Sequence, residues 1–348
     1  MKKIFFFLII CTVYSALPAQ TIFGTIYDAQ TRETVPGVAV YFDGTTIIAT
    51  SDKDGKFKLE VEKRINARLV FSHLSYEVLI IDKPFENENR AFYLKEKVNT
   101  LDAVRVVADR YSRAEKMQLF KEQFLGKSAA GRSCVILNEE VISLSYDYST
   151  NTLMGRADQP IVVQNKYLAY LVSFDLHDFH IHYSDRTLNM NEAIKIVFLG
   201  TSSFVDQSPY NVLYAKRREE TYLKSSQNFW KNFVGKTLEE EQFKIYNKYR
   251  QMETDEYFII SDWLSLKRVV VIPDTNLERR HSSVTEENIF GVLGVTYKSQ
   301  LRSEIVFLTN TFTIDSFGNP DAPDKLMYFG DMGGQRLGEM LPQNYVIQ

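Results

Sequence analysis

The densest group of metal-ligating side chains in the chain is DLHDFHIHY, Asp175 to Tyr183, which holds three of the five histidines and two acids. Neutral imidazoles and carboxylates are the ligands that zinc and other transition metals take, so metal chemistry is the first possibility to weigh. Strand alternation runs through Tyr170, Val172, Phe174 and Leu176 and continues through Phe179 and Ile181. It predicts His180 and His182 on one face with Asp178, and His177 on the opposite face beside Phe179. Two imidazoles at i and i+2 can chelate an ion, but further ligands must come from Asp178 or a neighbouring strand. Polar residues on the solvent side of a half-buried sheet need no ion, and strand decoration is the reading taken. His180, His182 and Asp178 are the candidate metal ligands; no metal site, cofactor or catalytic residue is assigned.

Other chemistries fail on spacing. A zinc peptidase of the metallocarboxypeptidase type needs His and Glu three apart, but the residues three beyond the histidines are Tyr76, His180, Tyr183, Asp185 and Val284. Neither HExxH nor GxSxG occurs. Gly126-Lys127-Ser128 and Gly235-Lys236-Thr237 imitate the end of a phosphate loop, yet Lys121 and Trp230 stand where its first glycine belongs. Both pairs read as helix stops. Cys134, set among Ser133, Val135, Ile136 and Leu137, reads as a small buried hydrophobe. Gly330 to Arg336 reads as a loop before a short Leu337–Leu341 segment. Scattered acids, Asp158, Asp175 and Asp178 among them, are what a hydrolase acting on peptide or glycan would use for acid–base work.

The elements that would carry these residues begin after residue 20. MKKIFFFLIICTVYSALPAQ reads as a signal peptide over 1–20: two lysines, a short apolar block, then small residues. That block is too short to favour a transmembrane span, and Cys11 lacks the small residues upstream that lipid attachment needs. Losing Lys2 and Lys3 takes the formal charge from −3 to −5, which argues against nucleic acid as a partner. The 348 residues, 45% hydrophobic and 13% aromatic, suffice for two globular domains. One cysteine beyond the leader leaves no intrachain disulfide.

From Thr21, short alternating runs separated by Gly, Pro and Asp predict a small antiparallel β-sandwich over 21–95. Asp54-Gly55 has hairpin-turn chemistry, with Phe57, Leu59 and Val61 sharing one face of the next strand; the closing Glu of a calcium loop is missing. Three segments carry a resemblance: Gly24-Thr25-Ile26-Tyr27-Asp28, Val35-Pro36-Gly37-Val38-Ala39-Val40, and Thr50 through Phe57. They resemble the carboxypeptidase-regulatory-like domain, a transthyretin-type sandwich. The same module precedes the plug of TonB-dependent outer-membrane receptors of Bacteroidetes, where a short strand similar to Leu101–Val107 ends it. This chain is too short for their barrel and is similar instead to smaller exported Bacteroidetes proteins with an uncharacterised C-terminal domain. FKEQFLG, Ala157–Tyr170, the Trp-containing second helix and GEMLPQNY also resemble landmarks of that group. The resemblance supplies no catalytic residue.

The boundary falls in 96–112, a linker, and the region 113–348 reads as an α+β domain: an antiparallel sheet with few helices. Helices are predicted over Arg113–Leu125, stopped by Gly126, and Ser226–Val234, stopped by Gly235, with Thr237 and Glu240 starting another turn in capping-box spacing. Strands are predicted over Val135–Tyr148, Ile161–Phe174, Ile194–Leu199, Tyr257–Ile260, Val269–Ile272, Gly291–Tyr297 and Ile305–Ile314. The whole is mainly β. The functional expectation is an exported, non-enzymatic binding or accessory protein in the periplasm or at the periplasmic face of the outer membrane. Its partner there would be a protein or glycan, and the hydrolase is the alternative.

Overall fold

The computed structural model describes residues 20–97, 110–247, 250–272 and 289–347. The leader, Cys11, most of the expected linker and the Leu101–Val107 strand lie outside the described residues. Strands dominate, 21 of them against five α-helices among the described residues, and no described helix is long and apolar enough to cross a membrane.

The first seven strands form a sandwich of two sheets. β1 (Gln20–Asp28) lies between β4 (Lys56–Val61), antiparallel, and β7 (Ala91–Leu94), parallel. The second sheet has the order β3 (Ile48–Thr50), β2 (Ala39–Phe42), β5 (Leu69–His73), β6 (Tyr76–Ile81). Alternation causes this: in KFKLEV of β4, Phe57, Leu59 and Val61 are buried and the residues between them exposed. They pack with Ile26, Val40, Phe42 and Phe71 between the sheets. The turn before β4 is as expected, since Gly55 has φ +72 and Asp52 Oδ1 accepts from the Asp54 and Lys56 amides.

Beyond residue 110 the expected single sheet is three sheets around two separate cores. The period of a strand shows which side is apolar, not which strands share a ladder. Around the first core stand α1 (Arg113–Phe124), α2 (Ala129–Ser133) and six strands: β8 (Cys134–Ile136), β9 (Ile142–Asp147), β10 (Thr152–Ala157), β11 (Ile161–Asn165), β12 (Tyr170–Tyr183) and β13 (Ala193–Asp206). β12 is the spine. β11 and β10 pair with successive halves of one edge, and β13 runs the length of the other. α1 starts on a Ser112–Glu115 capping box and presses Phe120 and Phe124 onto Phe179 and Phe174. Gly126, at φ +97, follows its end.

α3 (Val212–Leu223) and α4 (Ser226–Gly235) lead into the second core, with Phe229, Trp230 and Phe233 at its centre. It lies against a five-stranded sheet, in order β15 (Arg250–Met252), β14 (Phe243–Asn247), β18 (Gly291–Tyr297), β19 (Leu301–Phe307), β21 (Leu326–Phe329). A three-stranded sheet of β16 (Phe258–Trp263), β17 (Leu266–Val271) and β20 (Thr311–Ile314) completes it.

Several expectations need correction. Val135–Tyr148 is broken by a 3-10 turn at Glu139–Val141, and Ile161–Phe174 and Ile305–Ile314 each contain a turn between two strands. Lys236, not Gly235, takes the left-handed cap at φ +58. The turn expected after Thr237 forms, with Glu241 N–H donating to Thr237 O at 3.1 Å, while the Thr237 hydroxyl donates back to Asn232 Oδ1 at 2.7 Å. The loop at Gly330 is a single helical turn, α5 (Gly330–Gly333).

Candidate interaction surface

β12 does not alternate without interruption. Leu176 pairs with Gly200 and Asp178 with Leu199, so His177 has no partner across the ladder and stands out as an exposed β-bulge. The extra residue switches the parity of the strand. Tyr170, Val172 and Phe174 face the core before it, and Phe179, Ile181 and Tyr183 after it. The expectation that His177 shares the core side with Phe179 is therefore corrected, because a period of two presumes a strand with no residue to spare.

Asp178, His180 and His182 do share the outer face. His180 Nδ1 lies 3.0 Å from Asp178 Oδ1, and His182 Nδ1 lies 3.2 Å from Thr152 Oγ1 on β10. Each imidazole thus has a neighbour of its own, and among the described residues no group of three His, Cys, Asp or Glu converges as a metal site would need. The acids also diverge. Asp158 is exposed, Asp178 faces His180, and Asp175 is turned toward the N-terminal sandwich, where the Tyr41 hydroxyl donates to its Oδ2 at 2.9 Å. Cys134 is half-buried, and burial pushes its thiol up to about 12.

The Tyr41 bond belongs to a clamp on the outer edge of β13. Tyr41 also lies 3.0 Å from Thr201 Oγ1, and burial, followed by the charge of Asp175, raises its hydroxyl well above the usual phenol range. It stays a proton donor. The loop after β2 then adds to the strand edge. Gly44 N–H donates to Ser202 O at 2.6 Å, Phe204 N–H to Thr45 O at 2.9 Å, and Thr45 bridges Ser203 in parallel register. Asp43 accepts from Ser202 N–H at 2.8 Å and from Arg68 at 2.8 Å. From the other side Gln343 N–H donates to Gly44 O at 2.7 Å, and Asn344 Nδ2 to Thr46 Oγ1 at 2.8 Å. Gly44 has φ +72, a backbone conformation that residues with a side chain rarely adopt, so the clamp favours glycine at this position.

The clamp covers only half of the edge. Ser202 O and Phe204 N–H point away from β12, and strand geometry repeats every two residues. The N–H and C=O groups of Ile196, Phe198 and Gly200 therefore point the same way, and no described residue bonds to them. The side chains beside this open row are apolar: Ile194 is 63% exposed and Leu199 58%. Sequence reading found the strand at Ile194–Leu199 but not its edge, since openness depends on residues 43–46 far away in the chain.

Residues 22–106 match the family model of the CarboxypepD_reg-like domain, so β1–β7 are a carboxypeptidase-regulatory-like module. The chain is thus a mainly β protein carrying that module, and its remaining residues fall outside the match. No curated protein matches the chain.

Proposed function

We propose that this protein is an exported, non-enzymatic binding protein of the cell envelope that takes an extended segment of a partner protein onto β13. The open edge from Ala193 to Gly200 carries the reading, with its outward backbone groups and exposed Ile194 and Leu199. An added strand would gain main-chain hydrogen bonds along the edge and apolar contacts beside it. The module supports the same reading, because it already binds the neighbouring stretch Ser202–Phe204 through backbone groups of residues 44 and 45. Export is read from the leader sequence at 1–20, and on that reading the site would face the periplasm or the periplasmic side of the outer membrane.

A photo-crosslinking residue in place of Leu199, in cells making the full chain, tests this. A discrete adduct in the envelope fraction is the expected result, with none from the same residue in place of Lys58 on the module. Crosslinking that is absent, or equal at both positions, overturns the reading.

A further inference from the structure

The β16–β17 hairpin closes with Trp263 paired to Leu266 across the two residues Leu264 and Ser265. Leu264 has φ +54, in the left-handed region where such loops favour glycine or asparagine. A leucine there is strained, and this one is also 82% exposed. Glycine would remove both costs in water. A backbone outlier that also exposes a large apolar side chain points to a use for that side chain in another medium.

The neighbours specify the medium. Trp263 is half exposed, and Ile259, four residues earlier on the same face, is exposed. The Arg268 guanidinium lies 5.4 Å from the Trp263 ring centroid, and Lys267 pairs with Asp262 at 2.6 Å. On a chain of net charge −3 this tip carries two cations and one acid. A convex tip of two residues offers far less than the ~800 Å² per partner of a standard protein interface. It has instead the make-up of an interfacial membrane anchor: tryptophan at headgroup depth, an aliphatic residue beyond it, and cations behind to meet lipid phosphates.

We propose that the Trp263–Leu264 tip docks the protein on an anionic bilayer, with both side chains in the interfacial layer and Arg268 at the headgroups. The measurement is tryptophan emission of the purified protein titrated with phosphatidylglycerol–phosphatidylcholine vesicles, paired with vesicle flotation. The other tryptophan, Trp230, is fully buried and donates to the Tyr328 hydroxyl, so a change in emission reports the tip. A blue shift and co-flotation are expected, weaker with phosphatidylcholine alone and weaker in Arg268→Gln. Leu264→Gly should lower partitioning about tenfold while keeping or raising the melting temperature, since it relieves strain. Leu264→Asn, which also suits the turn, should behave alike. No shift with anionic vesicles, or unchanged partitioning in both Leu264 variants, overturns the proposal.

Discussion

The two halves of β13 treat the same problem differently. From Thr201 to Phe204 the edge is covered: Thr201, Ser202 and Ser203 are small, polar and buried, Thr201 meets Tyr41, Ser202 bonds Asp43 and Gly44 through its backbone, and Phe204 N–H donates to Thr45 O. From Ala193 to Gly200 the edge is open and, Lys195 apart, its side chains are apolar. A strand edge is a row of unmet donors and acceptors, and proteins cover it, charge it or use it. Here one strand covers half of its edge with its own module and offers the rest, guarded by Lys195 and by a second bulge at Ile194, which the ladder skips between His182 and Tyr183. Polar residues mark the half that is satisfied internally. Apolar exposure marks the half that is not.

The largest effect should come from the pin at the closed end. Arg218 is 2% exposed and makes two bonds of 2.7 Å to Asp206. It also donates to Leu168 O and Ala169 O and stacks 4.1 Å from the Tyr170 ring. Arg218→Ala takes the counter-charge from Asp206, leaving it the Ser208 amide, and takes the donor from Leu168 O, and should cost about 3–5 kcal/mol in urea unfolding. A loss below about 1 kcal/mol would mean that the closed end does not depend on this pin.

Next comes the clamp itself. Tyr41→Phe removes the donor to Asp175 inside a buried junction and should cost about 1–3 kcal/mol. Gly44→Ala puts a β-carbon on a backbone at φ +72 and should cost about as much. Both variants should also open the junction to limited proteolysis between the module and β13; unchanged digestion would show that the clamp is not what closes that half.

At the open half the same kind of change should barely register in stability. Leu199→Lys puts a charge on an exposed side chain and should stay within ~0.5 kcal/mol of the parent, while it blocks strand addition. A loss of several kcal/mol would show that Leu199 serves the core, and the two halves would no longer contrast.

The smallest effect concerns Cys134. Its folded-state pKa is pushed up to about 12 by burial, above that of an unfolded cysteine, so the thiol stays protonated until pH approaches that value. The thiolate fraction at pH 8 is on the order of 10⁻⁴, and alkylation by iodoacetamide should be far slower in the folded protein than in urea. Equal rates would count against the burial.

How much of this was legible depended on where the determining residues sit. The Asp54-Gly55 turn, α1 with its Gly126 stop, and β18 as Gly291–Tyr297 are set by residues within a few positions, and each reads directly. α3 was missed because VLYAKRREETYL has no wide apolar stripe; Arg218, a buried cation, docks it. The His177 bulge escaped because alternation says nothing about a residue the ladder skips. The outer face of Asp178, His180 and His182 was local and readable. The open edge was not, because the residues that close its other half belong to a different sheet.

The bonds between Thr46 and Asn344 span 298 positions, and Gln343 closes on Gly44 beside them. During synthesis the module is complete long before those residues exist. Its buried core is built from its own residues, with Phe317 the one downstream side chain among the described residues packed on it, so it can fold early, whereas the clamp loop is held on both sides only when residues 343 and 344 arrive. Fastening the module is therefore the late, slow, long-range step of assembly. Refolding followed by hydrogen exchange should protect the β2 and β5 amides well before that of Thr46; simultaneous protection would refute this order.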